Sequence, residues 1–250
     1  MQGIEHQLFG YIDGSEACSA ARWAHDAKTA IAQAHQHDRL PILVGGTGLY
    51  VRILLEGIAP IPEIVPEIRE DIRKMETLDA YRSLQELDPL AADRLNRMDS
   101  TRVQRALEVV RSTGKPLDHW QKNKVGGIGD AITLHPLVLL PPRDWLYERC
   151  DLRFEEMIER GAKEEVRRLM TRDLPPNLPV MRAIGVPEIS EWLAGDSSRE
   201  AALERAQAAT RQYAKRQYTW FRNQSPQDWP RIDEPLNNDY SNIFEILLRS

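Results

Sequence analysis

The feature that most constrains the fold is a glycine turn between an apolar segment and a helix. Residues 40–44 are an apolar run, and Gly45-Gly46-Thr47-Gly48 ends it. Helices are predicted on either side, over about residues 19–37, where alanines recur at helical spacing, and over 49–56. Helix, buried strand, glycine turn and helix is an order typical of an α/β fold with a parallel sheet. We therefore predict that residues 40–44 form a buried strand.

A second pattern predicts the domain organisation. From Pro60 to about Asp130 apolar residues are sparse, charges are dense, and the periodic segments predict about four short helices. A buried-strand pattern returns at residues 137–140, and two long helices are expected after it, over about 143–160 and 198–222. We therefore predict an α/β core from residues 1–60 and 131–250, with a helical insertion at 61–130.

Composition excludes several classes of protein. The net charge of −5 argues against a generally basic nucleic-acid coat but leaves room for a local basic face. Cys18 and Cys150 are the two cysteines, and without a CxxC pair they predict a reduced, cytoplasmic protein with no zinc site. No apolar stretch approaches the roughly 18–20 residues that span a bilayer, so no membrane partner is expected.

Two segments carry groups that suit a ligand. In the glycine turn, Thr47 offers a hydroxyl beside backbone amides that a ligand could approach closely. The alternative is an ordinary tight turn, and no GKS or GKT follows it. In residues 99–109, Arg102 and Arg105 lie three apart on one predicted helix face, which suits phosphate or base contact. The alternative there is a solvated helix with local ion pairs.

Two further segments add cationic groups. Arg182 lies among apolar residues before Gly185, so we expect a buried guanidinium whose partner is either a bound phosphate or a structural carboxylate. Residues 209–222 interleave basic and aromatic side chains on one helix, with Arg211 and Lys215 on a shared face. An ordinary amphipathic helix would show the same alternation.

Taken in order, these segments resemble the tRNA dimethylallyltransferase (isopentenyltransferase) family. The resemblance rests on VGGTGLY at 44–50, TRVQRALEV at 101–109, MRAIG at 181–185 and ATRQYAKRQYTWFR at 209–222. It implies a P-loop-NTPase-like, parallel-sheet α/β core with an inserted helical subdomain. It also implies transfer of a dimethylallyl group from dimethylallyl diphosphate to N6 of the adenosine 3′ of the anticodon, with Mg²⁺ assisting the departure of diphosphate.

The resemblance also implies roles for particular residues. Thr47 and Arg182 match catalytic positions, and Arg182 would also hold the diphosphate. The positions implied to bind the tRNA anticodon arm are Thr47, Arg69, Thr101, Arg102, Val103, Gln104, Arg105, Gln212, Tyr213, Ala214, Lys215, Arg216 and Gln217. No metal ligand is assigned within the chain, no DNA partner is implied, and we expect a monomer.

The sequence departs from the family pattern at its beginning. Family members start with a strand and a GxTxxGK[ST] phosphate loop, followed by an aspartate expected to act as the base. Neither is found here, and Gly114-Lys115 is followed by Pro116. We therefore expect an N-terminally truncated member whose core lacks its first strand and phosphate loop and which is inactive alone. The alternatives are a non-catalytic tRNA-binding remnant and an adenylate isopentenyltransferase.

Overall fold

The first two helices form where the alanine spacing and the glycine turn predict them. The computed structural model describes residues 3–235. Helix α1 spans Ala20–Gln36, and the Ser19 hydroxyl caps it by accepting a hydrogen bond from the backbone N–H of Arg22 at 3.1 Å. Helix α2, Gly48–Glu56, begins within the glycine turn.

The buried strand predicted over residues 40–44 is wrong. The segment forms no β-ladder with any described residue, and Ile42 and Val44 are 73% and 81% exposed. An apolar run becomes a strand only where a neighbouring segment pairs with its backbone N–H and C=O groups. No such neighbour pairs with it within residues 3–235, and its apolar side chains are left exposed.

The helices between the prolines and the glycines form a separate unit, Arg52–Ile132, which we call the helical unit. Five helices follow α2 there, where about four were expected. They are α3 Pro66–Lys74, α4 Thr77–Leu87, α5 Pro89–Arg94, α6 Ser100–Thr113 and α7 Leu117–Gln121. Pro66 and Pro89 stand in the first turns of α3 and α5, where the missing N–H costs no helical hydrogen bond.

The helical unit has a core of its own. The apolar stripes of α3, α4, α5 and α6 meet in one cluster, within which Leu84, Val103 and Leu107 are fully buried. Burying a leucine side chain stabilises the folded state by about 1.5–3 kcal/mol, so this cluster is the main source of the unit's stability.

The two ends of the helical unit are held together by a close backbone approach. Ile58 and Val125 exchange antiparallel backbone hydrogen bonds of 3.0 Å. A Cβ on Gly57, whose φ is +88°, would lie 2.4 Å from the Val125 carbonyl oxygen, and a Cβ on Gly127 would lie 2.4 Å from that of Leu55. Only glycine permits this approach at both positions.

The remaining described residues form the second unit, called here the α/β unit. A small parallel sheet pairs β1, Val138–Leu139, with β2, Arg231–Ile232, so a short strand forms within the predicted segment 137–140. Its helices are α1, the start of α2, α8 Arg143–Glu159, α9 Ala162–Met170, α10 Val186–Ala194 and α11 Arg199–Gln224. The fold is therefore helix-rich α/β with a small parallel sheet.

The core of the α/β unit joins its later helices. Phe154 of α8, Val166 of α9, Ile189 of α10 and Ala206 of α11 are buried together. Within residues 3–235 no helix is both long and apolar enough to cross a membrane.

Candidate functional site

The glycine turn packs directly against α11. A Cβ on Gly46 would lie 2.3 Å from the side-chain nitrogen of Gln217, and one on Gly48 would lie 1.9 Å from the Trp220 ring. Both distances are far inside van der Waals contact, so neither position admits a side chain without displacing its neighbour. The glycines therefore serve a close approach between two segments that the sequence singled out separately.

Thr47 lies at the surface of this contact. Its carbonyl oxygen accepts the N–H of Tyr50 at 2.9 Å, which begins α2, while its side chain is exposed. The hydroxyl makes no hydrogen bond to any residue in the described range. On the same helix, the Tyr50 ring lies against Trp23 of α1, with 5.1 Å between ring centroids. The Thr47 hydroxyl is therefore exposed to solvent, on a turn next to a helix that packs against α1 through Tyr50 and Trp23.

The exposed face of α11 carries cations and an aromatic ring. Gln212, Tyr213, Lys215 and Arg216 are exposed, and the Arg216 guanidinium lies 5.4 Å from the Tyr213 ring centroid. Ala214 is buried, so its side chain packs against the protein.

Arg211 differs from its neighbours on α11. Its guanidinium donates to the Asp151 carboxylate of α8 at 2.5 Å, and both side chains are about a third exposed. The expectation that Arg211 and Lys215 together offer a free basic face is therefore only half met, because a local carboxylate already neutralises Arg211.

The predicted contact residues of helix α6 differ in how far they are buried. The Asp99 carboxylate caps the helix by accepting the backbone N–H of Arg102 at 3.1 Å and also pairs with its guanidinium. Thr101 and Arg102 are exposed, and Gln104 and Arg105 are half-buried. Val103 is fully buried in the core, so any contact that it makes with a ligand would have to come from its backbone.

In the helical unit, three arginines lie within ion-pair distance of one buried carboxylate. Glu108 of α6 lies 3.4 Å from Arg105 on the same helix, 3.4 Å from Arg73 and 3.9 Å from Arg69, the last two on α3. No role was assigned to Glu108 or Arg73 from the sequence. The feature that could have predicted one is an acidic residue inside the apolar run 106–110, because a charge on a buried helix face requires partners.

Arg182 is placed differently from expectation. The prediction of a buried guanidinium is wrong, because Arg182 is exposed at the end of a short 3₁₀ turn, Pro179–Arg182. It has no ion pair or hydrogen bond within the described residues, and none joins it to Thr47. The apolar neighbours supply the packing instead: Val180 lies against Gly14, where an added Cβ would meet its methyl groups at 3.3 Å.

The chain near Gly14 is fixed by an ion pair. Asp13 accepts hydrogen bonds from Arg172 at 2.6 Å and from the Ser15 hydroxyl at 2.6 Å. The Arg172 hydrogen bond, followed by those from Ser15, holds the pKa of the Asp13 carboxyl far below its usual range. This pair links the segment before α1 to the end of α9.

The described residues contain no group of three or more His, Cys, Asp or Glu side chains that could hold a metal ion. Cys18 and Cys150 are free thiols, and burial raises the pKa of Cys150. Neither cysteine belongs to such a group within residues 3–235.

Comparison with known proteins gives one consistent result. The family model described as IPP transferase matches residues 1–224. A protein of Sphingopyxis alaskensis named tRNA dimethylallyltransferase is 59% identical over 249 residues, covering 100% of this chain and 81% of the relative. One of the same name from Novosphingobium aromaticivorans is 58% identical, covering 99% and 88%.

Solved structures agree with the sequence relatives. The tRNA isopentenylpyrophosphate transferase of Bacillus halodurans is 30% identical with a TM-score of 0.64, covering 99% of this chain and 77% of that one. A eukaryotic dimethylallyltransferase acting on tRNA is 26% identical with a TM-score of 0.78, covering 98% and 64%.

Proposed function

Because this chain belongs to the IPP transferase family, we propose that it is a tRNA dimethylallyltransferase. The reaction moves a dimethylallyl group from dimethylallyl diphosphate to N6 of the adenosine 3′ of the anticodon. A bond forms between N6 and the allylic carbon, the carbon–oxygen bond breaks, and diphosphate leaves with the electron pair. N6 loses a proton in the same reaction.

The observation that carries this proposal is the packing of the glycine turn against α11. Gly46 and Gly48 allow Gln217 and Trp220 to approach the turn, and Thr47 stays exposed beside them. We assign Thr47 and Gln217 to the tRNA, together with the exposed α11 residues Gln212, Tyr213, Lys215 and Arg216. An adenine must leave its stack for N6 to react, and aromatic and amide groups beside a cationic face suit an unstacked base.

In the helical unit we propose that residues 101–105 and Arg69 contact the anticodon arm. Arg102 and Arg105 supply cations for phosphate, and Thr101 and Gln104 supply hydrogen-bonding groups. Val103 takes part through its backbone and Ala214 of α11 through packing, because both side chains are buried.

Arg182 is proposed to hold the diphosphate. Its exposed guanidinium, without an ion pair in the described residues, is available to an anion whose charge grows as the carbon–oxygen bond breaks. We propose that Mg²⁺ accompanies the diphosphate, since magnesium is usually bound through phosphate and water with few protein ligands. The described side chains form no cluster that fits the ion by itself, so no step is assigned to it.

The architecture proposed for the α/β unit is a P-loop-like core. Its small parallel sheet and the helices packed beside it are compatible with that arrangement. We further propose that the protein acts as a monomer in the cytoplasm, where its tRNA substrate is available.

The test is an acceptor comparison with the protein that the gene encodes, including any in-frame residues before Met1. Labelled dimethylallyl diphosphate is supplied with either unmodified tRNA or adenosine monophosphate. We expect label in the tRNA and none in the mononucleotide. Labelling of the mononucleotide alone would assign the chain to the adenylate branch and overturn the proposal.

A further inference from the structure

The buried carboxylate of Glu108 has more cationic partners than it needs. Its side chain is 6% exposed, and its oxygens lie within 4 Å of the guanidinium groups of Arg69, Arg73 and Arg105. A buried carboxylate requires a compensating charge, but one arginine provides it. We call Arg69, Arg73, Arg105 and Glu108 the arginine cluster.

The arginine cluster carries an excess positive charge. Three guanidinium groups share one carboxylate, and none of the three arginines pairs with another acidic residue among residues 3–235. Their side chains are 42%, 66% and 42% exposed, so the uncompensated charge faces solvent while the carboxylate lies beneath it. A phosphate responds to this local potential even though the whole chain is acidic.

A purely structural role for the cluster explains less. Helices α3 and α6 already share one buried apolar cluster, which contains Ile72, Val103 and Leu107. The side-chain amide of Gln104 also donates to the Ile72 carbonyl at 3.3 Å. One ion pair added to these contacts would tether the helices, whereas a second and a third arginine add repulsion between like charges.

The geometry suits phosphate recognition by a prepared surface. Arg69 and Arg73 lie four residues apart, on one face of α3, and Arg105 approaches the same carboxylate from α6. Guanidinium groups match phosphate oxygens in two-point hydrogen bonds. Holding the side chains in place before binding reduces the entropy lost when the ligand arrives.

We propose that Glu108 is a positioning residue that holds Arg69, Arg73 and Arg105 as a three-arginine site for RNA backbone phosphates. This rests on the proposed function, because it takes RNA as the ligand, and it adds Arg73 to the RNA-binding residues and Glu108 as the residue that positions them. Glu108 acts through the arginines and does not itself touch the RNA.

The test measures binding of an unmodified anticodon stem-loop to the full chain at several salt concentrations. Glu108→Gln keeps the shape but removes the charge that gathers the arginines, so we expect binding about tenfold weaker. Glu108→Asp restores the charge at a shorter reach and should bind with intermediate affinity. If the carboxylate served only to neutralise the arginines, Glu108→Gln would bind RNA as well as the native chain or better, which would overturn the proposal.

The arginines are tested by the number of phosphates that they neutralise. Arg73→Gln should lower the slope of log K against log salt concentration by about 0.7–0.9, because the variant neutralises one phosphate fewer than the native chain. Arg82→Gln is the matched control, because Arg82 is an exposed arginine of the same unit whose partner is Asp79 on its own helix. An unchanged slope in Arg73→Gln, or an equal change in Arg82→Gln, would contradict the assignment.

Three further measurements separate the possible failures. Thermal unfolding confirms that each variant is folded at the assay temperature, and Glu108→Asp serves if Glu108→Gln is not. Diphosphate at matched ionic strength should weaken stem-loop binding equally in the native chain and in Arg73→Gln, because Arg182 is its proposed site; a smaller effect in Arg73→Gln would assign the arginine cluster to diphosphate and overturn RNA as its ligand. If the native protein binds and modifies tRNA while the cluster variants bind equally well, the inference fails alone. If it does neither, the proposed function fails and the inference falls with it.

Discussion

The arginine cluster and the glycine turn, the two surfaces proposed to contact RNA, are built in opposite ways. In the arginine cluster, long charged side chains surround one buried carboxylate, so we expect binding there to depend on charge. At the glycine turn, the absence of side chains lets Gln217 and Trp220 approach the backbone, so we expect binding there to depend on shape. Salt should therefore weaken binding at the first surface, and small steric changes should weaken it at the second.

The same contrast extends to what lies beneath each surface. The arginine cluster stands on a fully buried core, of which Leu107 is a central member. The segment leading into the glycine turn exposes Ile42 and Val44. The largest effect should therefore come from the core of the helical unit.

Leu107→Ala should destabilise the helical unit by about 2–5 kcal/mol, because it leaves a cavity in a fully buried site. Ile42→Ala removes a similar apolar side chain from an exposed position and should change stability by less than about 0.5 kcal/mol. Hydrogen exchange of backbone amides in α6 and in α1 measures each unit separately. Equal effects of the two substitutions would remove the contrast between the regions.

Gly48→Ala should cost about 1–3 kcal/mol, because the new methyl group overlaps the Trp220 ring and forces the turn away from α11. Gly45→Ala is the control, since an added Cβ there meets nothing within 4 Å. Chemical denaturation gives the stability, and Trp220 displacement should also weaken binding of the stem-loop. If Gly48→Ala matched Gly45→Ala in both measurements, close packing would not define this surface.

Lys215→Gln should lower the salt slope of RNA binding by about 0.7–0.9, because an exposed cation that neutralises one phosphate is removed. Arg205→Gln, on the same helix, should leave the slope unchanged, because Arg205 already pairs with Glu191 at 2.5 Å. Fluorescence anisotropy of a labelled stem-loop across salt concentrations measures both. A change confined to Arg205→Gln would show that exposure and pairing do not identify the binding cations.

The smallest effect concerns the ion pair beside Gly14. The pKa of Asp13 is lowered in the folded state, so its contribution to stability is present above the unfolded pKa of about 3.9 and is lost as pH falls further. Asp13→Asn should therefore slightly lower the thermal midpoint at neutral pH, and the difference should shrink below about pH 4. A difference for Asp13→Asn that stays constant with pH would contradict the ion-pair account.

Features set by local periodicity could be predicted from the sequence. The alanine spacing placed α1 within a residue of its observed ends, and Ser19 caps it. The long helix expected over 198–222 is α11, Arg199–Gln224, with Ser198 as its cap. Capping and helical spacing act over a few residues, so the sequence contains the whole signal.

Features that depend on contacts between residues distant in sequence could not be predicted in this way. The apolar run 40–44 resembles a buried strand, but strand formation depends on a pairing partner that composition does not reveal. The exposure of Arg182 also depends on a contact between residues distant in sequence, because Val180 packs against Gly14 and Arg182 does not. The arginine cluster requires α3 and α6 to meet, and Arg73 gave no local sign of that meeting.

The measurement that tests the central claim most directly is the position of the transferred group in tRNA. The protein encoded by the gene, with any in-frame residues before Met1, is incubated with dimethylallyl diphosphate and unmodified tRNA, and mass spectrometry of nuclease fragments locates the product. We predict one dimethylallyl group on the adenosine 3′ of the anticodon, and none when that position is guanosine. Modification elsewhere in the tRNA, or undiminished labelling of the guanosine-substituted tRNA, would contradict the account.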